Sequence, residues 1–200
     1  MKLYYFPGAC SLATHLALEE SGLAYTAEAV NLRTKQTASG RDFHGINPKG
    51  YVPALELDGG EVITEVSAIL QYVAELAPEK QLAPTSGLER VRLNEWLCFI
   101  ATELHKNFAP LFNPANSDEI RKAALERLAP RLNYVETWLD SRPYLLGAQL
   151  SVADLYLFTV LSWANFIKAP ALSPVLGAYL GRIAQRPAVQ AVLTAEGLKG

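Results

Sequence analysis

Residues 2–31, KLYYFPGACSLATHLALEESGLAYTAEAVN, decide how this chain begins to fold. Residues 2–6 have the aromatic, apolar composition of a strand, and Pro7-Gly8-Ala9 breaks it. Residues 11–20 then turn helix-forming, with Leu12 and Leu16 four apart on one face, and Gly22 is a fitting stop. Residues 25–31 alternate well enough for a second strand. A strand, a helix and a strand joined this compactly fit a parallel β-α-β unit.

Working outward, Ile46-Asn47-Pro48-Lys49-Gly50-Tyr51-Val52-Pro53 is turn-rich and leads into a short strand at 54–57. Asp58-Gly59-Gly60 reads as a hairpin turn into 62–64. From Glu65 the period becomes helical, with Ile69, Leu70, Val73 and Leu76 on one face until Pro78 stops it. Read from the residues, the N-terminal order is β-α-β and then β-β-α, complete by about residue 80. Residues 81–87 combine breakers with small polar residues and are expected to be a linker.

Residues 88–200 are expected to form an all-α C-terminal helical bundle. One helix spans 88–108, and a second carries Ile120, Leu128, Leu132, Val135 and Leu139 with a kink at Pro130. Ser151-Val152-Ala153-Asp154 has the spacing of a capping box, opening a buried helix that continues to residue 166. Outer helices are expected at 178–186 and 188–195.

Half of the residues are hydrophobic and 19% are charged, so a packed core is expected and disorder is not. The net charge of −2 and a pI near 5.9 supply no global positive field, which argues against nucleic acid as a partner. The opening residues lack an uninterrupted apolar stretch, so no membrane association and a cytoplasmic location are expected. Cys10 and Cys98 are too few for a disulfide scaffold. His15, His44 and His105 show no metal-ligand spacing with acidic residues, and no metal is expected.

Four places carry residues with chemical potential. Cys10 stands between a strand and a helix start, where free amides and the helix dipole favour a thiolate; an inert buried thiol is the alternative. No second cysteine stands three positions on, so a dithiol cycle within the chain is excluded. Val52-Pro53 precedes a strand, where a cis proline lets the backbone pair with an extended peptide, the alternative being an ordinary trans turn. Glu65-Val66-Ser67 opens a helix whose amides either hold a carboxylate or are capped locally. His105 lies near a helix end, as a titrating or anion-binding group or as a satisfied structural one. Phe108, Phe112, Trp163 and Phe166 suit an apolar cleft or the core equally well.

Taken in order, these segments resemble a glutathione S-transferase. The resemblance covers residues 2–198 and rests on Lys2-Leu3-Tyr4-Tyr5, on Pro7 through Leu12, on Asn47 through Leu55, and on Thr64-Glu65 with Ala68-Ile69. Glu103-Leu104-His105-Lys106, Leu150 through Asp154 and Arg186-Pro187 complete it. Cys10 and the Leu-His-Lys segment are similar to the bacterial beta class. The resemblance implies an α/β thioredoxin-like N-terminal domain, β-α-β-α-β-β-α over residues 1–80, and a homodimer in which each such domain binds glutathione against the partner's helical domain.

It also implies roles. Val52 would pair its backbone with the cysteinyl unit of glutathione. Glu65 and the Val66 amide would take the γ-glutamyl ammonium and carboxylate, and Lys35 the glycyl carboxylate. Glu103 would join the glutathione contacts. Cys10 would lie beside the glutathione sulfur, able to form a mixed disulfide, with His105 holding the thiolate. Phe108, Phe112, Trp163 and Phe166 would wall the pocket for a small electrophile. Two departures stand out: Val66 replaces a common serine, and Cys98 a common asparagine. A glutaredoxin-like thiol oxidoreductase and a non-catalytic scaffold on the same fold are the rival readings.

Overall fold

The structure, a computed structural model of the chain, describes residues 1–167 and 171–198. Two compact units emerge, one built from Met1–Ala83 together with the segment from Ala184 onward, the other from Pro84–Ile183.

In the first unit, strand β1 (Lys2–Tyr5) leads into helix α1 (Ser11–Ser21), then β2 (Thr26–Asn31) and a two-residue β3 (Gln36–Thr37). Strands β4 (Ala54–Glu56) and β5 (Val62–Thr64) and helix α2 (Val66–Leu76) come next. The five strands lie in the order β3-β2-β1-β4-β5. β1 pairs with β2 in parallel, Leu3 opposite Ala27, and with β4 antiparallel, Leu3 opposite Leu55. Strand alternation sends Leu3 and Tyr4 to opposite faces. Tyr4 packs with Val30, Phe43, Ile46, Val52 and Ala54, all buried. Leu12 and Leu16 of α1 and Ile69, Leu70 and Val73 of α2 are buried as well, and the two helices pack together. Gly22 ends α1 in the left-handed conformation, its amide bonded to Glu19 O, a C-terminal turn that only glycine adopts cheaply.

Two details depart from the sequence expectation. Where the order β-α-β-α-β-β-α has a second helix, between β2 and β4, the chain forms β3 and a single 3₁₀ turn at Phe43–Gly45. The Asp42 carboxylate accepts from the His44 amide to start that turn. Helix α8 (Pro187–Ala195), expected in the helical bundle, instead packs on α1 and belongs to the sheet unit. Arg186 is the anchor, donating to both carboxylate oxygens of Glu20 at 2.5 and 2.8 Å. Glu196 adds a second tie, with Oε1 2.7 Å from His15 Nδ1 and Oε2 accepting from the Gly8 amide. The expected range 88–200 also runs through 168–170 and 199–200, which lie outside the described residues.

The second unit contains α3 (Gly87–Phe99), α4 (Lys106–Phe112), α5 (Asp118–Leu139) and α6 (Val152–Ser162), with α7 (Pro174–Ala184) at its end. Pro130 sits inside α5, which continues through it; the cost is the backbone donor that proline lacks. Trp96 gathers Phe99, Tyr134 and Trp138 around it, with ring centroids 5.4–5.8 Å from its own. Ser151 and Asp154 form the expected reciprocal cap of α6. The helix expected to run unbroken over 88–108 does not: residues Ile100–His105 form a π turn between α3 and α4. A π turn admits one extra residue and rotates the downstream helix relative to the preceding face, a deformation that recurs at functional sites.

Candidate active site

The sheet unit carries five of the expected site residues, Cys10, Lys35, Val52, Glu65 and Val66, and sets the first against the third. Cys10 is the N-cap of α1, half-buried, and no acidic side chain occupies the helix's first turn to offset the positive end of its dipole. Its thiol donates to the Val52 carbonyl at 3.3 Å. Val52-Pro53 is cis, so of the two alternatives the sequence left open the structure takes the cis one. The bond lies just ahead of β4. Val52 itself is buried among Tyr4 and Phe43.

Glu65 precedes Val66, the first residue of α2, and its backbone sits at φ 72°, ψ 122°. A non-glycine residue there is strained, of order 1–3 kcal/mol, and such residues cluster at ligand-binding sites. The Glu65 carboxylate meets Lys49 Nζ at 2.5 Å and the Tyr51 hydroxyl at 3.2 Å. Lys49 also donates to Thr64 Oγ1 at 2.9 Å. Its hydrogen bond to Glu65 holds the ammonium pKa above the ordinary lysine value. Lys35, itself at φ 58°, reaches across to donate to the Gly50 carbonyl at 2.6 Å. At Gly50 φ is 70°, which strains any other residue, and a Cβ would lie 2.5 Å from His44 Cε1, so the exposed imidazole would have to move aside.

In the helical unit, His105 closes the π turn. Its Nδ1 lies 2.8 Å from the Tyr156 hydroxyl, and its ring stands edge-on to Trp163 at 4.9 Å. Glu103, two residues earlier, accepts from Arg131 Nε at 2.6 Å and pairs with its NH2 group at 2.5 Å. Trp163 is the hub of this region, with Phe108 and Phe112 also edge-on to it at 5.9 and 5.4 Å. The four expected pocket aromatics split: Phe108 and Trp163 are buried, whereas Phe112 and Phe166 are largely exposed. A cavity of about 240 Å³ lies between Phe108, Leu128, Leu132, Ala164, Leu172 and Leu176, and of the four aromatics Phe108 alone is among its described lining residues.

Sequence reasoning missed Lys49, Tyr51, Tyr156 and Arg131. Lys49 and Tyr51 lay in plain view in the turn-rich segment, but their contact with Glu65 depends on how that turn meets β5. Tyr156 and Arg131 reach their partners across 51 and 28 residues, a separation that helical periodicity does not encode.

One chain thus carries a thioredoxin-like sheet, with a cysteine at the start of α1 beside a cis-proline segment, and a helical bundle. Residues 8–76 match the family model for the N-terminal domain of glutathione S-transferase, and residues 99–187 match the model for its C-terminal domain. The chain belongs to the glutathione S-transferase family, and its activity is that of a glutathione transferase. It is 46% identical to glutathione S-transferase GstA of Escherichia coli O157:H7 over the whole of both chains. A solved sphingomonad glutathione S-transferase complexed with glutathione is 48% identical, with a TM-score of 0.95 and complete coverage of both chains. The bacterial beta-class glutathione S-transferase of Sphingomonas chungbukensis is also 48% identical, with a TM-score of 0.96 and the same coverage. Among the described residues, no helix is long and apolar enough to cross a membrane.

Proposed function

We propose that the chain is a cytoplasmic glutathione transferase of the beta class, acting as a homodimer in the detoxification of small, often hydrophobic, electrophiles. The observation that carries this reading is the Cys10 thiol at the N-terminus of α1, 3.3 Å from the carbonyl of Val52 at the cis Val52-Pro53 bond. An extended tripeptide pairing its cysteinyl backbone with Val52 brings its own sulfur beside Cys10. The γ-glutamyl ammonium goes to Glu65 and its carboxylate to the Val66 amide, where the start of α2 favours an anion. Lys35 supplies charge for the glycyl carboxylate. Glu103, its carboxylate oriented by Arg131, completes the proposed glutathione contacts, and His105 is assigned to steady the thiolate. Phe108, Phe112, Trp163 and Phe166 remain the proposed apolar wall for the electrophile.

A thiolate held in this way supports two reactions. In conjugation, the glutathione sulfur forms a bond to an electrophilic carbon, and the leaving group departs with its electron pair. In exchange, the Cys10 thiolate attacks glutathione disulfide; a Cys10–glutathione disulfide forms and one glutathione thiolate leaves. Conjugation does not require an enzyme nucleophile, so Cys10 is assigned to the exchange and is placed beside the conjugating sulfur.

Intact-mass analysis after incubation with glutathione disulfide tests the assignment, alongside calorimetry with glutathione and conjugation of a chlorinated nitroaromatic. The wild type should gain one glutathione; Cys10→Ala should gain none while still binding the tripeptide and conjugating. An adduct that persists in Cys10→Ala and vanishes in Cys98→Ala moves the chemistry to the other sulfur. Activity confined to mixed-disulfide reduction supports the glutaredoxin-like reading, and absence of glutathione binding supports the scaffold.

A further inference from the structure

Glu65, the residue assigned to the ligand's ammonium, already holds an ammonium from within the chain. Lys49 Nζ lies 2.5 Å from Glu65 Oε1, and the same nitrogen donates to Thr64 Oγ1. The Tyr51 hydroxyl donates to that carboxylate oxygen too, so the ammonium is held by one carboxylate and one hydroxyl while a second hydroxyl braces the carboxylate. Lys49 and Glu65 side chains are 44% and 56% exposed, so the pair sits where a solute can reach it and where lysine's flexible stem can swing away.

We propose that Lys49 is an internal occupant of the ammonium subsite: in the ligand-free protein its Nζ sits on Glu65, and the α-ammonium of the γ-glutamyl unit displaces it. This rests on the reading of Glu65 as the ammonium acceptor. The chemistry of the two occupants matches, each being a primary ammonium with three donors. Binding then exchanges one ammonium–carboxylate contact for another, so the ion pair made with the ligand is offset by the one given up. Lys49 thereby sets the affinity and enforces selectivity. A peptide with an ammonium at that place regains what the displacement costs, and one without it leaves Lys49 seated and gains nothing from Glu65. Because exposed lysine–carboxylate pairs are weak, the opposition is small and the lysine acts as a tunable competitor rather than a block.

Calorimetry with two ligands decides the matter: glutathione, and glutaryl-cysteinylglycine, which lacks only the amino group. Lys49→Met should bind glutathione about two- to fivefold more tightly than the wild type, the span expected for releasing an exposed ion pair. Its affinity for glutaryl-cysteinylglycine should not change. In a Glu65→Gln background, Lys49→Met should have no effect on either ligand. Weaker glutathione binding in Lys49→Met would make the lysine a direct ligand contact and overturn the proposal, as would unchanged binding or equal tightening for both peptides. Failure of the underlying reading shows separately: in the Lys49→Met background, where no internal ammonium competes, glutathione affinity would then be indifferent to Glu65→Gln.

Discussion

The sheet unit and the helical unit each bury a carboxylate, and they hold it by different means. Glu28 on β2 accepts from the Lys2 ammonium at 2.6 Å through one oxygen; through the other it accepts from the Ser39 amide and hydroxyl at 2.9 and 2.6 Å. Burial alone would raise its pKa, but Lys2, Ser39 and Thr37 outweigh it and bring the value down to about 2. Asp154 at the start of α6 is fully buried and has only neutral donors. The Leu145 amide and Tyr179 hydroxyl serve Oδ1, and the Ser151 amide and hydroxyl serve Oδ2. There burial wins and pushes the carboxyl up, although all four donors pull the other way. A charged partner near solvent stabilises the ionised form. A neutral network inside a bundle tolerates that form and contributes mainly a specified geometry.

The largest effect expected from breaking either arrangement falls on the helical unit. Asp154→Ala removes the acceptor of four donors, two on Ser151 at the entry of α6, the Leu145 amide and the Tyr179 hydroxyl, of which the last keeps the Asp154 carbonyl at 3.3 Å; each unsatisfied buried donor costs roughly 1–3 kcal/mol before water and relaxation reduce the sum. Denaturant unfolding should show a loss of about 3–5 kcal/mol. A loss below about 1 kcal/mol would mean that the network is not what fixes this helix.

Glu28→Gln should cost less, about 2 kcal/mol near neutrality after allowance for partial hydration of Lys2. Its signature is the pH dependence. The folded pKa lies below the ordinary value of 4.5, so the stabilisation is fully present above pH 4.5 and drains away as pH falls toward 2. Asp154 works in the opposite sense, because a raised folded pKa removes stability as pH rises through the carboxylate range. The wild type should therefore show an acid limb between about pH 4.5 and 2 that Glu28→Gln flattens. Parallel limbs in the two proteins would sink the assignment.

The same contrast explains what was legible in the sequence. The β-α-β opening was readable because Pro7-Gly8, the Leu12–Leu16 spacing and Gly22 are local signals, and the local site segments around Cys10, Val52-Pro53 and Glu65-Val66 emerged from family-like motifs. The stretch between β2 and β4 was not readable, because a two-residue strand has no period and the turn at Phe43–Gly45 depends on Asp42 reaching the His44 amide. Nor was the π turn at Ile100–His105, whose extra residue leaves no compositional mark. Periodicity gave α8 an apolar face but not its partner; the Arg186–Glu20 pair that anchors it spans 166 residues. Site contacts of this long-range kind, Tyr156 on His105 and Arg131 on Glu103, were missed for the same reason.

The smallest effect tests whether the neutral network of the helical unit also serves the chemistry proposed for His105. Tyr156 is buried on α6, and its hydroxyl, 2.8 Å from His105 Nδ1, fixes the turn of the imidazole about its own axis. Tyr156→Phe removes that oxygen while keeping the ring that stands at right angles to the histidine. One hydrogen bond is worth about 1 kcal/mol, which corresponds to roughly fivefold in rate if the bond serves to orient the imidazole for the thiolate. The expected outcome is therefore a kcat lowered about fivefold with the KM for glutathione unchanged. A bond that merely steadies the fold would lower the melting temperature and leave the rate where it was. That result would confine Tyr156 to structure and remove the geometric support for His105 as the group that steadies the thiolate.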